Sequence, residues 1–440
     1  MITGPISIDE LKEKLKAVDS VRIVFTDLGG RLRNLSVNPD FFERVAHEGV
    51  AFDGSSVDGV ASVGSSDTLL VPAPESLKIL EFEDGKTAFF TGRIYSGHKT
   101  RSPHDPRALL ESVLAKAKAE FQYTFLAGPE YEFFLLRGEE AGKNIHTDSA
   151  GYMHTPPHDR GEVVRRNIVR TLKACGVRCE KEHHEVTPSQ HEIVVECSDP
   201  LEAADRTLLF HYVAGEAAAR QDCRASFMPK PFDGMNRNAF HIHLSMKDLN
   251  GGNLFYAAED EHRLSPVARH FIGGILQYAR QTSIIMASTF NSYKAYIADR
   301  EAPIVRGWGV KNRSSMVRIP YAADPRNTRI ELRTPDPAGN VYLQLAVLVA
   351  MGLRGIENEL DCGAPDVGST YQKQRKTRLW DTRYIPKSMF EALVEAERSA
   401  FLKETLGKAI YDNYMALKTA DWEEHRTHVT EREHAKYLGV

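Results

Sequence analysis

The sequence has no glycine-rich nucleotide signature. Neither G-x-G-x-x-G nor G-x-x-x-x-G-K-[ST] occurs between a strand and a helix. If the chain binds a nucleotide, it uses another scheme. Cysteine is scarce, odd in number and scattered: Cys175, Cys179, Cys197, Cys223 and Cys362. Cys175 and Cys179 have helix-like spacing, but no second pair completes a zinc site, and no disulfide framework is implied. A reduced, cytoplasmic protein is expected. The start, MITGPISIDELKEKL, lacks the basic end and apolar stretch of a signal peptide. No apolar run is long enough to span a bilayer, so no membrane partner is expected. Excess positive charge is also missing. The net charge of −4 gives no polycation footprint, which argues against nucleic acid as a partner. Internal repeats and low-complexity segments are absent.

What is present is an ordinary globular balance over 440 residues, enough for about two or three domains. SIDELKEKLKAV reads as an amphipathic helix capped by Ser7 or Asp9. VRIVFTDLGGRLRNLSV reads as a hairpin bending at Asp27-Leu28-Gly29-Gly30. KTAFFTGRIY is a further strand. The polar, proline-broken HKTRSPHDPR marks a boundary, giving domains 1–104 and 105–440. A helix follows at PRALLESVLAKAKAEF, then mixed strands and helices, and a helical tail from about Lys387. The fold class is α+β and predominantly antiparallel rather than doubly wound.

Four strands carry polar pairs that share a face. These are Glu130 and Glu132 in GPEYEFFLL, His241 and His243 in AFHIHLS, Glu331 and Arg333 in RIELRTP, and the longer Glu185…Glu192 pair in HHEVTPSQHEIVVE. Residues i and i+2 of a strand point the same way. Any one pair is explained as well by a solvated edge strand. Together they gather carboxylates and imidazoles in one place, which is costly unless positive charge sits there. The Pro-Ser-Gln kink between Glu185 and Glu192 re-aims side chains, and His183, His184 and His191 add ligand-type groups. Carboxylate-rich ligation with a single imidazole suits Mg²⁺ or Mn²⁺ rather than structural zinc. Two such ions bridging phosphates suit phosphoryl transfer. Arg313, Arg318, Arg326, Arg329 and Arg333 supply cations, and Arg329 and Arg333 straddle Glu331 at strand spacing.

These segments resemble type I glutamine synthetase over nearly the whole chain. The resemblance is carried by FDGSS (52–56), GPEYEFF (128–134), AGYMHTPPHDRGE (150–162), HHEVTPSQHEI (183–193), FMPKP (227–231), NSYK (291–294), REAP (300–303), NRSSMVRIP (312–320) and ELRTPDPAGNVYL (331–343). It implies a small N-terminal β-grasp-like domain and a large catalytic domain with a curved antiparallel sheet backed by helices. It implies Glu132, Glu185 and Glu192 as ligands of a first metal, and Glu130, His241 and Glu331 as ligands of a second beside the ATP phosphates. His243, Ser245, Arg318 and Arg329 match nucleotide contacts. Arg313 matches the arginine that steadies the transferred phosphoryl group, and Arg333 a binder of the acid's carboxylate. Asp53 and Ser56 match the ammonium site, donated by a neighbouring subunit. Tyr152 matches the aromatic residue beside it, and Glu301 the flap that closes over the reaction. The implied cofactors are ATP and two or more Mg²⁺ (or Mn²⁺) ions per site. The implied assembly is a homo-oligomer of two hexameric rings with active sites between subunits.

Two departures fall on the acid site. Where the family usually has a glycine lying against glutamate, this chain has Arg237, next to Asn236. Where the family has an arginine after NSYK, this chain has Ala295, then Tyr296. The segment DVGSTYQKQRKTRLWDTRYIPKS lacks the family's usual short acidic loop and the tyrosine that some members adenylylate. The expected activity is ATP-dependent ligation of ammonia to the γ-carboxylate of glutamate through an acyl phosphate. The alternatives are a ligase for a different amine or acid, of γ-glutamyl-amine type, and a non-catalytic relative. The filled ligand and flap positions argue against the last.

Overall fold

The structure, a computed structural model, describes residues 8–82, 84–97, 100–138, 145–297, 301–373 and 381–440. Its strands form two sheets. The first contains β1 (Ser20–Thr26), β2 (Leu32–Val37), β3 (Val50–Asp53), β4 (Asp67–Pro72), β5 (Lys78–Phe82), β6 (Gly85–Gly97) and β7 (Thr100–Arg101). β1 and β2 form the expected hairpin, with Arg31 N–H donating to Asp27 Oδ1 at 2.8 Å across the turn. Gly30 has φ of +99°, and a Cβ there would lie 2.6 Å from the Gly339 carbonyl carbon. Glycine is required because this turn presses directly on the second domain's backbone. Helices Ile8–Leu15 and Phe42–Glu48 cover an apolar layer of Leu11, Val21, Ile23, Phe42 and Phe90. Ser7, one of the two expected caps, lies outside the described residues.

The second sheet contains β8 (Tyr123–Leu136), β9 (Cys179–His184), β10 (Gln190–Val195), β11 (Arg224–Ser226), β12 (Phe240–Asp248), β13 (Trp308–Val310), β14 (Val317–Ile319) and β15 (Ile330–Leu332). Their order is β13-β14-β15-β12-β8-β10-β9, with β11 also on β8. Each sheet holds one parallel pair among otherwise antiparallel neighbours, β1–β6 and β13–β14. Period-two alternation carries no signal of strand direction, so these pairs were not readable beforehand.

One face of the second sheet packs on helices. Tyr131 stacks on Phe210 of helix Pro200–Ala219 with ring centroids 4.0 Å apart, and its hydroxyl meets Thr207 Oγ1 at 2.9 Å. Phe133, Ile193, Phe240, Ile242 and Leu244 complete this buried face. Helix Val341–Glu357 is apolar almost all round and runs through the core. Its cap, Asn340, accepts from Tyr342 N–H and Leu343 N–H, while its own amide donates to Thr26 Oγ1 and the Asp27 carbonyl. One side chain thus starts the helix and ties the two domains. A second tie is Arg107, 1% exposed, held by Asp205, Glu111 and Glu75 of the first domain.

Candidate active site

With Tyr131, Phe240 and Ile242 buried on the helix side, the intervening residues face the other way. The register lines them up strand by strand: Arg318 opposite Glu331, Glu331 opposite His243, His241 opposite Glu130, Glu132 opposite Glu192, and Glu192 opposite His183. Directly opposed residues share a face. The result is a polar row crossing six strands, at the floor of a cavity of 1140 Å³.

Two groups of donor atoms form in this row, each gathered within 4.8 Å. They are Glu130, His241 and Glu331, and His183, Glu185 and Glu192. The first matches the expected second-metal set. In the second, His183 stands where Glu132 was expected. Glu132 is close by, opposite Glu192, but its Oε2 accepts from Ala239 N–H at 2.8 Å and Gln190 Nε2 at 3.2 Å.

The tautomers follow from the partners. Arg329 Nε donates to His243 Nδ1 at 3.1 Å, so His243 carries its proton on Nε2, which donates to Glu130 Oε1 at 2.9 Å. His241 Nδ1 donates to Glu130 Oε2 at 3.2 Å, leaving Nε2 buried and without a hydrogen-bond partner. With Glu130 and Glu331 both near its Nδ1 side, at 3.2 and 3.8 Å, the imidazole and two carboxylates make a donor group that fits a divalent cation.

Electrostatics agree. Burial raises the Glu132 carboxyl well above its usual range, helped by the charges of Glu185 and Glu192. Burial acts the same way on Glu130, but the hydrogen bonds from His241 and His243 outweigh it and hold that carboxyl well below. Glu331, 1% exposed, is lowered to about 2, its burial outweighed by the charges of Arg333, His243 and His241. Both Arg318 and Arg333 donate to it. The donor set of Glu130, Glu132, Glu185, Glu192, His241 and Glu331 is hard and carboxylate-rich, which suits Mg²⁺ or Mn²⁺.

Behind Glu185 lies the kink expected from Pro188 and Ser189. Ser189 has φ of +63° and is fixed by Asp148 and Thr147. His184 Nδ1 donates to the Glu185 carbonyl at 2.6 Å and Nε2 to Asp148 Oδ1 at 3.0 Å. His191 rests on Arg165 at 2.8 Å. With both nitrogens of His184 engaged, this group supports the ligand-bearing kink rather than forming a site of its own.

Of the remaining expected residues, Tyr152, Asn236, Arg237, Ser245, Glu301, Arg313, Arg318, Arg329 and Arg333 all line the cavity. Tyr152 meets the His183 ring edge-on at 5.2 Å. Asn236 Nδ2 donates to Glu301 Oε2 at 3.2 Å. Arg237 is buried rather than directed into open space. It donates to the backbone carbonyls of Arg333, Thr334 and Pro335. Asp53 and Ser56 do not reach the cavity of their own chain. Asp53 is exposed, and hydrogen bonds from Ser55 and Ser56 hold its carboxyl below the ordinary value. Sequence reading passed over Lys181, which donates to Glu192 Oε1 at 3.0 Å, and Gln190. Both sit two residues from a named group on the same strand, the spacing used for the other pairs. Residues 374–380, part of the segment expected to depart from the family's loop, lie outside the described residues.

Beyond this wall sits Asp336, 1% exposed, with Oδ1 accepting from Ala338 N–H at 3.1 Å. Burial pushes its carboxyl up to about 6, opposed by the Ser292 hydroxyl and the Arg237 charge. A carboxyl raised above its unfolded value of about 3.9 contributes most at low pH. That contribution is lost as pH rises through the folded value. Relative to Asp336→Asn, the wild type is expected to lose about 3 kcal/mol between about pH 4 and pH 7. Urea unfolding of both proteins across that range checks the slope. Parallel curves would contradict it.

The glutamine synthetase catalytic domain matches residues 103–437, and the glutamine synthetase beta-Grasp domain residues 17–97. The chain is 34% identical to the glutamine synthetase of Methanococcus maripaludis over 99% of this chain and 100% of that one. It is 36% identical to that of Thermotoga maritima over 95% and 96% of the two chains. A solved structure of GmaS with ADP superposes with a TM-score of 0.89 at 30% identity, covering 99% of this chain and 100% of the other. Plasmodium falciparum glutamine synthetase shares the fold with a TM-score of 0.87 at 20% identity, covering 99% of this chain and all of that one. No helix among the described residues is long and apolar enough to cross a membrane. With both domains matched in order and the ligand-bearing strands in register, the chain belongs to the glutamine synthetase family of ATP-dependent ligases.

Proposed function

We propose that the protein ligates ammonia to the γ-carboxylate of glutamate through an acyl phosphate formed with ATP. The observation that carries this reading is the group formed by Glu130, His241 and Glu331, whose donor atoms lie within 4.8 Å of one another. Glu130, His241 and Glu331 would hold one divalent ion, and Glu185 and Glu192, with Glu132, another. Bound there, the ions would neutralise phosphate charge and polarise the transferred phosphoryl group.

The chain's own residues do the rest. His243, Ser245, Arg318 and Arg329 line the same cavity and would hold the nucleotide. Arg313 steadies the phosphoryl group, and Arg333 holds the acid so that its carboxylate oxygen attacks in line. Asp53 and Ser56, with Tyr152, bind ammonium. Asp53 then takes a proton, free ammonia attacks the acyl carbon, and the adduct breaks its C–O bond to release inorganic phosphate. Glu301 closes the flap, takes a proton from the adduct and keeps water from hydrolysing the acyl phosphate. Because Asp53 lies away from its own chain's cavity, a neighbouring subunit supplies it. This supports a homo-oligomer with sites shared between subunits; two hexameric rings is the arrangement proposed from the family resemblance.

A second reading keeps the chemistry and changes the acid, or the amine to a small organic one. The buried Arg237 beside Arg333 favours a different acid. The matched Asp53, Ser56, Tyr152 and Glu301 favour ammonia. ADP release over a panel of acids and amines separates the two readings. Glutamate with ammonia is expected to give magnesium-dependent turnover. Turnover only with another pair would establish the second reading.

A further inference from the structure

Arg237 and Tyr296 are far apart in sequence and meet in space. The Arg237 guanidinium lies over the Tyr296 ring, 5.8 Å from its centroid. Arg237 Nη1 and the Tyr296 hydroxyl both donate to the carbonyl of Thr334, at 3.3 and 2.8 Å. Arg237 also reaches the carbonyls of Pro335, at 3.4 Å, and of Arg333. Both side chains are buried, 5% and 6% exposed, yet Arg237 lines the catalytic cavity beside Arg333. Its neighbour Asn236 is bonded to the flap residue Glu301. Arg237 therefore forms part of the cavity wall between Arg333 and Glu301, with the Tyr296 ring packed against its guanidinium.

This wall has a definite chemistry. A free ammonium group on a bound acid needs carbonyl or carboxylate acceptors and the absence of nearby cations. Here three successive carbonyls are already occupied, by a guanidinium and a phenol. Positive charge therefore sits directly on these three acceptors. A carboxylate meets no such penalty, since Arg237 and Arg333 attract it.

We infer that Arg237 and Tyr296 act as one packed unit that sets acid selectivity, disfavouring a free ammonium group and favouring acids recognised by their carboxylates alone. The inference rests on the ligase chemistry and develops the second reading, a different acid, against glutamate. Tyr296 acts through Arg237 and the Thr334 carbonyl, as a positioning residue.

The test compares glutamate with glutarate, which has the same two carboxylates and no ammonium. Each is measured by kcat/KM if it turns over, or by its inhibition constant if it does not. Arg237→Met and the double variant with Tyr296→Leu are expected to shift the glutamate-to-glutarate preference toward glutamate by about tenfold or more, with KM for ATP unchanged. The double variant should shift little beyond Arg237→Met, because one unit is being dismantled. Tyr296→Phe, which removes only the hydroxyl, should shift the same way by about threefold. This variant covers the case in which the larger changes do not fold. An unchanged preference in folded variants overturns the inference while leaving the ligase reading intact. A wild type that releases no ADP with any acid overturns both.

Discussion

Glu331→Gln is expected to lower kcat by about 10³-fold or more, at the level of losing a charge-stabilising group from the reacting centre. The glutamine has the same shape, so the strand should still form. It lacks the charge that Arg318 and Arg333 both pair with, and it is a poor ligand for a hard cation. Calorimetric titration of Mn²⁺ should show one of two binding events lost and the other retained, because Glu185, just after β9, and Glu192, on β10, belong to a different donor group from Glu331 on β15. Leaving two guanidinium groups beside a neutral amide also costs stability, on the order of 3 kcal/mol. The melting temperature must therefore be recorded alongside. A variant that keeps full activity and both Mn²⁺ events would remove Glu331 from the metal cage.

Asp53→Ala is expected to abolish ligation as fully as Glu331→Gln, although Asp53 is not among the described residues lining its own chain's cavity and its side chain accepts locally from Ser55 and Ser56. The two variants should complement one another. Co-expressed and mixed at random in one assembly, they leave about a quarter of the shared sites with both native residues. Activity should return to about that fraction. If Asp53 instead swings into its own chain's cavity, every subunit carries one lesion and the mixed assembly stays inactive. The experiment reads subunit sharing directly and does not depend on the number of subunits.

Much of the site was legible because strand geometry is simple. The i, i+2 pairs on β8, β12 and around β15 placed Glu130, Glu132, His241, His243, Glu331 and Arg333 on one face, and the register joins them in a row. The Asp27–Gly30 turn was legible because a hairpin bend demands its residue types. Other features depend on contacts between distant segments. The side-chain direction of Arg237 is decided by carbonyls at 333–335 and by the Tyr296 ring, and no local pattern encodes that meeting. The parallel pairing of β1 with β6 is set by packing on the helices, not by alternation. His183 entered the second donor group because its strand lies opposite Glu192, a pairing fixed only once the kink at Ser189 is formed. Lys181 and Gln190 obey the same spacing rule, but an amine and an amide are not the residue types that metal ligation singles out.

The acyl phosphate is the claim on which the rest depends, and isotope transfer tests it most directly. An acid labelled with ¹⁸O in the reacting carboxylate is turned over with ATP and ammonia, and the released inorganic phosphate is analysed by mass spectrometry. Attack of the carboxylate oxygen on the γ-phosphoryl group carries one labelled oxygen into the phosphate at every turnover. The account predicts that label. Phosphate free of ¹⁸O, released together with amide product, would contradict it.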